Sequence, residues 1–252
     1  MILLAHVSDT HLDGSPGRAE RARAVMAHLA GLRRRPDAII VSGDIADHGL
    51  PQEYVEARAL LVADVPVLTC PGNHDVREAS RRSFLELPGA GPDPVNQRWQ
   101  LPGLTVALCD SSIPGRDDGL LDETTLDWLD QALGDPGDAD VPAVVGFHHP
   151  PVPLHVPFID EIRQNGAERL AAVLDRHPRV VAVLAGHAHT PASTTFAGRP
   201  LLVAPGVVST LRFPWEPGDE VVDYALPPAV AYHVLEDTRI TTHFRVVPVP
   251  AG

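Results

Sequence analysis

Six short apolar runs without polar alternation set the strongest limit on how this chain folds. They comprise residues 2–7, 38–41, 65–68, 104–108, 141–147 and 180–185. A strand that is apolar on both faces has to be covered on both faces, by helices or by a second sheet. Helical patterns separate several of the runs, and such alternation is typical of an α/β fold with parallel strands. We therefore predict an α/β protein.

The pattern between and after these runs predicts four helices and then a β-rich end. The helices are predicted at residues 22–32, 51–63, 122–134 and 167–174. Arginines at 33–35 fit the last turn of the first helix, and Asp122 is a good N-cap for the third. Further strands are predicted at 193–196, 201–204, 229–235 and 240–247, with a turn at 197–200.

Charge and cysteine content exclude several classes of protein. The formal net charge is −13 at pH 7, and the chain contains no lysine. Such an acidic surface repels phosphate backbones, so we expect no nucleic-acid partner. A site for a phosphate ester would need local positive charge, which bound metal ions can supply. Cys70 and Cys109 are too few for a disulfide scaffold, and we expect buried free thiols, although a bridge stays open.

Five of the six runs lead directly into side chains that bind metal ions. These candidate ligands are Asp9, His11, Asp44, Asn73, His148, His187 and His189. Ligands of α/β sheets bind beyond the carboxyl ends of the strands, so we expect the five clusters to converge. Carboxylates, imidazoles and an amide favour Mn, Fe or Zn over Cu(I) or an iron–sulfur cluster. The set exceeds what one ion needs, which favours a two-metal site.

The order of these motifs resembles the calcineurin-like metallophosphoesterase superfamily. Asp-x-His, Gly-Asp, Gly-Asn-His-Asp, His and Gly-His-x-His follow one another between residues 9 and 189. The resemblance implies a four-layer αββα sandwich with two mixed β-sheets. It also implies a metal-dependent phosphoric diester hydrolase with two divalent or mixed-valence metal ions.

The resemblance further implies a role for each residue of the motifs. One ion would be held by Asp9, His11 and His189, and the other by Asn73, His148 and His187. Asp44 would bridge both ions. His74 would stay off the metals as the catalytic residue that acts on the phosphate or the leaving oxygen.

Three neighbours of the motifs carry further expectations. His48 stands where the Ser/Thr protein phosphatases have an arginine, which counts against protein phosphatase activity and makes His48 a candidate substrate contact. His149 is a second candidate for substrate binding, although in an extended segment it faces away from His148. Asp75 is expected to cap the following helix rather than to orient His74.

Finer features resemble the bacterial class III cyclic-nucleotide phosphodiesterases and their glycerophosphodiesterase relatives. They are the motifs at residues 8–12, 70–75 and 147–151. The predicted function is hydrolysis of a small phosphodiester, a 3′,5′-cyclic nucleotide such as cAMP, to the 5′-nucleotide. One alternative is a hydrolase of glycerophosphodiesters or other small phosphate esters. Another is a catalytically silent interaction scaffold, against which the intact ligand set speaks.

We predict one metallophosphoesterase domain over residues 1–252, with a catalytic core at 1–205 and a β-rich tail at 206–252 packed on it. The expected partner is a small-molecule phosphate ester, and a homodimer is left open. No apolar stretch reaches the ~20 residues that cross a bilayer, so a cytoplasmic protein without a membrane partner is expected. In the tail, Phe213, Trp215 and Tyr224 would line a base pocket, form a dimer contact or plug the sandwich edge.

Overall fold

Two β-sheets form the centre of the computed structural model, which describes residues 1–86, 91–138 and 140–249. In chain order the strands are β1 (Ile2–Val7), β2 (Ala38–Ser42), β3 (Val67–Cys70), β4 (Gln97–Leu101), β5 (Leu104–Leu108), β6 (Gly119–Leu120), β7 (Ala143–Gly146), β8 (Gln164–Asn165), β9 (Val180–Ala185), β10 (Ala192–Phe196), β11 (Arg199–Val203), β12 (Thr210–Leu211), β13 (Val222–Asp223), β14 (Ala229–Glu236) and β15 (Arg239–Val246). Each of the six apolar runs overlaps a strand, as predicted.

Both large sheets are mixed. The first has the order β15-β14-β1-β2-β3, and the second has the order β10-β11-β9-β7-β5-β4. Strands β1, β2 and β3 run parallel, as do β5, β7, β9 and β11, while the remaining edges are antiparallel. The parallel strands of each sheet therefore end at a common edge.

Helices cover the outer face of each sheet. They are α1 (Pro16–Ala30), α2 (Pro51–Leu60), α3 (Arg77–Ser80), α4 (Glu123–Leu133), α5 (Pro157–Glu161) and α6 (Ala167–Asp175). Helices α1 and α2 share a buried cluster with the first sheet, and α4 and α6 share one with the second. None of the helices in the described part of the chain combines the length and the apolar character that crossing a membrane requires.

A third buried cluster fills the space between the sheets. Strand β2 shows how one run serves both sides, because Ile39 and Val41 face the helices while Ala38 and Ile40 face the second sheet. This double burial explains why the run has no polar alternation. The predicted four-layer αββα sandwich is confirmed.

The structure corrects some predicted boundaries. Helix α1 ends at Ala30, so the arginines at 33–35 follow the helix instead of lying in its last turn. Strand β4 was missed because it is an edge strand with exposed polar residues. The cap at Asp122 is confirmed, since its carboxylate accepts a hydrogen bond of 2.8 Å from the Thr125 amide. Cys70 and Cys109 are buried free thiols.

A buried histidine pair joins β1 to the tail strand β14. His6 Nδ1 lies 3.0 Å from His233 Nε2, and the outer nitrogens contact Ser42 Oγ at 2.8 Å and Thr242 Oγ1 at 2.8 Å. Both rings are buried. Burial lowers the pKa of His6, with a further contribution from His233, and it lowers the pKa of His233 to about 3. The folded protein therefore holds both rings neutral.

This pair predicts a loss of stability in mild acid. Below pH 6.5 the unfolded chain takes up a proton at His233, while the folded ring stays neutral down to about pH 3. The free energy of unfolding therefore falls with pH by up to about 1.4 kcal/mol per unit from this residue. In His233→Gln this contribution is absent. We expect the stability advantage of the wild type, measured by urea unfolding, to shrink by about 2 kcal/mol between pH 7 and pH 5. Parallel pH profiles would contradict this account.

Candidate metal centre

The loops that follow β1, β2, β3, β7 and β9 meet at one end of the sandwich. Backbone hydrogen bonds fix them to one another: the Asp9 amide donates to the Gly43 carbonyl at 3.1 Å, and the His11 amide donates to the Asp44 carbonyl at 2.9 Å. On the second sheet, the Gly186 amide donates to the His148 carbonyl at 2.9 Å. The loops thus form one connected layer above the strand ends.

Glycines beside the candidate ligands permit close approach of these loops. A Cβ on Gly72 would lie 2.1 Å from Asp44 Oδ1 and 2.5 Å from the Asp44 amide. A Cβ on Gly43 would lie 2.4 Å from His148 Nδ1, and the backbone of Gly43 has φ +94°. Both positions require glycine, which gives a physical reason for the Gly-Asp and Gly-Asn-His-Asp patterns.

Backbone strain is concentrated in the candidate ligands. Five of the seven have positive φ, between 41° and 67°. They are Asp9, His11, Asp44, His187 and His189. A side-chain-bearing residue in this left-handed region costs on the order of 1–3 kcal/mol and persists where the surroundings over-determine it. The loops are therefore built to aim these side chains, not to minimise local energy.

The side chains converge on two adjacent points that share Asp44. Its Oδ2 lies 3.4 Å from His11 Nε2 on one side and 3.3 Å from His148 Nε2 on the other. Around the first point, His189 Nε2 lies 3.3 Å from His11 Nε2 and 3.4 Å from Asp9 Oδ1. Around the second, His187 Nδ1 lies 3.2 Å from His148 Nε2.

Two buried oxygens in this site have no hydrogen-bond partner among the described residues. They are Asp9 Oδ1 and Asn73 Oδ1. A buried acceptor without a partner is unfavourable, so such an atom points to a group that completes it. Carboxylate, amide and imidazole atoms are all ligands of divalent ions such as Mn, Fe and Zn, and no thiolate is among them. The donor set therefore fits the metals that the motifs predicted.

The pKa values of the candidate ligands also indicate a site that attracts cations. Burial opposes ionisation of Asp44, yet His148 and His11 outweigh it and hold the pKa of Asp44 well below its usual range. Burial likewise opposes charge on His148, but Asp44 raises the pKa of His148 to about 9. Burial lowers the pKa values of His187 and His189, so these rings are neutral and keep a lone pair for an ion. The carboxylates thus attract positive charge to this point.

A comparison of the sequence with models of known protein families shows the family of this chain. The sequence model of the calcineurin-like phosphoesterases matches residues 2–191, which include all the candidate ligands. The chain belongs to the calcineurin-like phosphoesterase family. The resemblance inferred from the motifs is confirmed, and with it the prediction that this protein is a phosphoesterase.

Curated relatives of this calcineurin-like phosphoesterase fall into two groups by name. The glycerophosphodiester phosphodiesterase GpdQ of Enterobacter lignolyticus is 36% identical, over 92% of this chain and 86% of that protein. A probable cyclic nucleotide phosphodiesterase of Rhodococcus erythropolis is 35% identical, over 98% of this chain and 84% of that protein. A cAMP/cGMP dual specificity phosphodiesterase of Mycobacterium tuberculosis is 35% identical, over 80% of this chain and 66% of that protein.

Among solved structures, a dimetal phosphatase from Danio rerio has a similar fold. Its TM-score is 0.71 at 16% identity, over 97% of this chain and 96% of that chain. At this identity the likeness concerns the fold alone. It agrees with the four-layer arrangement of this phosphoesterase.

Sequence reasoning missed a carboxylate that supports His11. Asp47 Oδ1 lies 2.9 Å from His11 Nδ1 and accepts a hydrogen bond of 2.7 Å from Arg18 Nη1. The Asp47 carbonyl lies 2.7 Å from His74 Nδ1. Asp47 thereby turns Nε2 of His11 toward Asp44. The signal available in the sequence was its position three residues after Asp44, within the Gly-Asp loop.

A residue of the tail also supports the site. Ser209 Oγ lies 2.7 Å from His189 Nδ1, and the Ser209 side chain is fully buried. On the opposite side, the Ser42 carbonyl lies 2.6 Å from His148 Nδ1. Ring contacts of this kind fix the orientation of a ligating histidine. No local pattern marks Ser209, because it reaches the site only through the path of the folded tail.

Asp75 corrects an expectation. It caps no helix, since Val76 occupies the N-cap of α3, and its contacts do not orient His74. Instead its carboxylate accepts hydrogen bonds from the Ile45, Ala46 and Gly72 amides and from Tyr54 Oη, at 2.9–3.1 Å. Asp75 therefore joins the loop that carries Asp44 to the loop that carries Asn73.

The two proposed substrate contacts lie in different surroundings. The exposed His48 is on the rim of a neighbouring cavity, and its Nδ1 lies 2.7 Å from Glu53 Oε1. His149 is fully buried, and its ring nitrogens contact Ser111 Oγ at 2.8 Å and the Asp117 carbonyl at 3.2 Å. Burial and the adjacent His148 lower the pKa of His149 to about 3. His149 thus supports the site from behind and does not face the cleft.

The hydrogen bonds of Asp75 between the two loops predict that removing the Tyr54 hydroxyl destabilises the protein. Tyr54 is fully buried, and its Oη donates to Asp75 and accepts a hydrogen bond of 2.8 Å from the Val76 amide. Tyr54→Phe leaves that amide without its acceptor, so we expect the free energy of unfolding to fall by about 1–3 kcal/mol. Urea unfolding measures it.

Tyr232→Phe is the matched control, because it removes a single, less buried contact of 2.9 Å with His28. We expect that variant to lose at most about 1 kcal/mol. Equal losses in both variants would contradict a special role for the junction.

Proposed function

We propose that this protein hydrolyses a small phosphodiester at a two-metal site, and that the substrate is a 3′,5′-cyclic nucleotide such as cAMP. One observation carries the proposal: a single carboxylate oxygen of Asp44 lies within 3.4 Å of an imidazole nitrogen from each of two ligand groups. A carboxylate placed in this way can contact two cations at once. Two-metal sites of this kind stabilise both the attacking and the leaving oxygen of a phosphoryl group.

The ligand groups have distinct members under this proposal. Asp9, His11 and His189 would hold one ion, Asn73, His148 and His187 would hold the other, and Asp44 would contact both. When bound, such ions supply a nucleophilic hydroxide near neutral pH and neutralise charge on the phosphoryl oxygens. The donor set suits Mn, Fe or Zn, as two divalent or mixed-valence ions.

His74 is the proposed catalytic residue. Its amide donates a hydrogen bond of 2.9 Å to Asp44 Oδ1, so the backbone of this residue holds the bridging carboxylate. Its ring donates from Nδ1 to the Asp47 carbonyl, which leaves Nε2 for the substrate. The side chain is 40% exposed and lines the cleft. With a proton on both ring nitrogens, His74 can therefore donate a hydrogen bond from Nε2 to a phosphoryl oxygen or deliver that proton to the leaving oxygen.

A glycerophosphodiester is the second candidate substrate, since the relative named GpdQ shares 36% identity with this chain. A silent scaffold is disfavoured, because the seven candidate ligands and His74 are all present and the ligands converge. We also infer one domain for the whole chain, since the tail strand β14 pairs with β1 over five residues. The cytoplasmic location and the homodimer stay predictions.

Hydrolysis assays test the proposed function directly. We expect the protein to cleave bis(p-nitrophenyl) phosphate and cAMP when loaded with Mn²⁺, and Asp44→Ala to lose both activity and metal, because both ions depend on this carboxylate. Metal content per chain and initial rates are measured together. Asp64→Ala, at a side chain that is 88% exposed, is the control and keeps both. Two ions at full occupancy in Asp44→Ala would refute the bridge.

His74→Ala separates catalysis from metal binding. Alanine keeps the amide that donates to Asp44, so we expect an unchanged metal content. Loss of the ring removes general acid assistance, and kcat should fall by roughly 10²–10⁴-fold. The exposed His243, on the edge strand β15, serves as the control, and His243→Ala should retain the wild-type kcat. Full turnover by a metal-loaded His74→Ala protein would refute the assigned role.

A further inference from the structure

The cleft above the candidate ligands has two unlike sides. Its volume is about 410 Å³, within the range of small-molecule sites. The ligands and His74 form one side. The remaining lining is largely apolar, and we call its main side chains the wall: Phe158, Ile162, Leu211, Val222 and Tyr224, which lie in the same cleft as the charged Arg18 and Asp117. A phosphate held by the ligands would therefore place the organic part of its ester beside this apolar wall.

Residues 206–228, which we call the flap, supply three of these five side chains. Strands β12 and β13 pair within it as a short antiparallel hairpin, and Arg212 forms an ion pair with Asp223 at 3.3 Å. The base of the flap is bonded to the site itself, because the Val208 amide donates to the Asp9 carbonyl at 3.0 Å. The flap is therefore part of the walls that shape the cleft.

One arginine of α1 holds both ends of the flap. Arg21 donates from Nε to the Val207 carbonyl at 2.7 Å and from Nη2 to the Leu226 carbonyl at 2.7 Å. Arg21 Nη1 also donates to the Tyr224 carbonyl at 3.4 Å, which holds the backbone of Tyr224 directly. A wall that is positioned before binding loses little conformational freedom when a ligand arrives.

Two aromatic rings on this wall remain accessible. Phe158, from helix α5, is 54% exposed, and Tyr224, from the flap, is 60% exposed, although both line the cleft. The flap offers an internal comparison, because Trp215 is 70% exposed and stacks on Phe213 at 4.8 Å without lining the cleft. Large aromatic faces open into a binding cleft are suited to a flat, apolar ligand surface.

We propose that Phe158 and Tyr224 bind the nucleobase of the substrate, so that the flap selects cyclic nucleotides over glycerophosphodiesters. This inference rests on the proposed function and narrows it. A base presents a π-face to these rings, whereas the glycerol group of a glycerophosphodiester has no flat surface that stacks on them. A choline head group is the competing occupant, since aromatic rings also attract quaternary ammonium groups.

The test compares two substrates across a set of variants of the metal-loaded protein. The value measured is the ratio of kcat/KM for cAMP to kcat/KM for glycerophosphocholine. Loss of a stacked base costs roughly 5- to 150-fold, so we expect this ratio to fall about tenfold in Tyr224→Ala and in Phe158→Ala. Tyr224→Phe keeps the ring and should hold the ratio within threefold of wild type. Trp215→Ala should hold it within twofold.

The outcomes distinguish this inference from the proposed function. An unchanged ratio in both alanine variants, with both substrates cleaved by the wild type, would overturn the base-binding wall alone. A rising ratio would overturn it in favour of a choline site. If the metal-loaded wild type cleaved neither substrate, the proposed function would fail together with the inference that rests on it.

Discussion

A buried carboxylate shared between two sets of imidazoles is the constraint on which the structure depends. Asp44 is 2% exposed, and a charge in such a place is costly unless cations or strong donors surround it. His11 and His148 lie beside one oxygen of this carboxylate, and the His74 amide donates a hydrogen bond to the other. The rest of the molecule serves to bring these partners, which are distant in sequence, to one carboxylate.

The arrangement of the two sheets brings these partners close together at little cost in free energy. Parallel strands that are buried on both faces end at one edge, so the loops after them need only short paths to meet. Those loops are strained, with left-handed backbone at five candidate ligands, and they are held by mutual hydrogen bonds and by the Asp75 junction. Strain that the scaffold over-determines fixes the aim of a side chain before any ligand binds.

Structure and site residues could be predicted from the sequence where a local pattern of residue types has a single structural or chemical explanation. Apolar runs predicted the buried strands, and ligand types at strand ends predicted the converging set. Asp47, Asp75 and Ser209 escaped prediction because each acts through a partner far along the chain. An aspartate before a helix is also a common cap, so local chemistry favoured the wrong role for Asp75. The edge strand β4 was missed for a different reason: it has exposed polar residues, so it lacks the apolar run that marks a buried strand.

The residues proposed to carry out the reaction and the residues proposed to select the substrate lie in different segments of the chain. The candidate ligands and His74 come from loops between residues 9 and 189, the part that matches the family. The flap lies beyond that match, yet it contributes Ser209 behind a ligand and Tyr224 on the wall of the cleft. A change of flap residues alters what lies beside the phosphate without disturbing Asp44, because Arg21 and the Asp9 carbonyl hold the flap by its backbone.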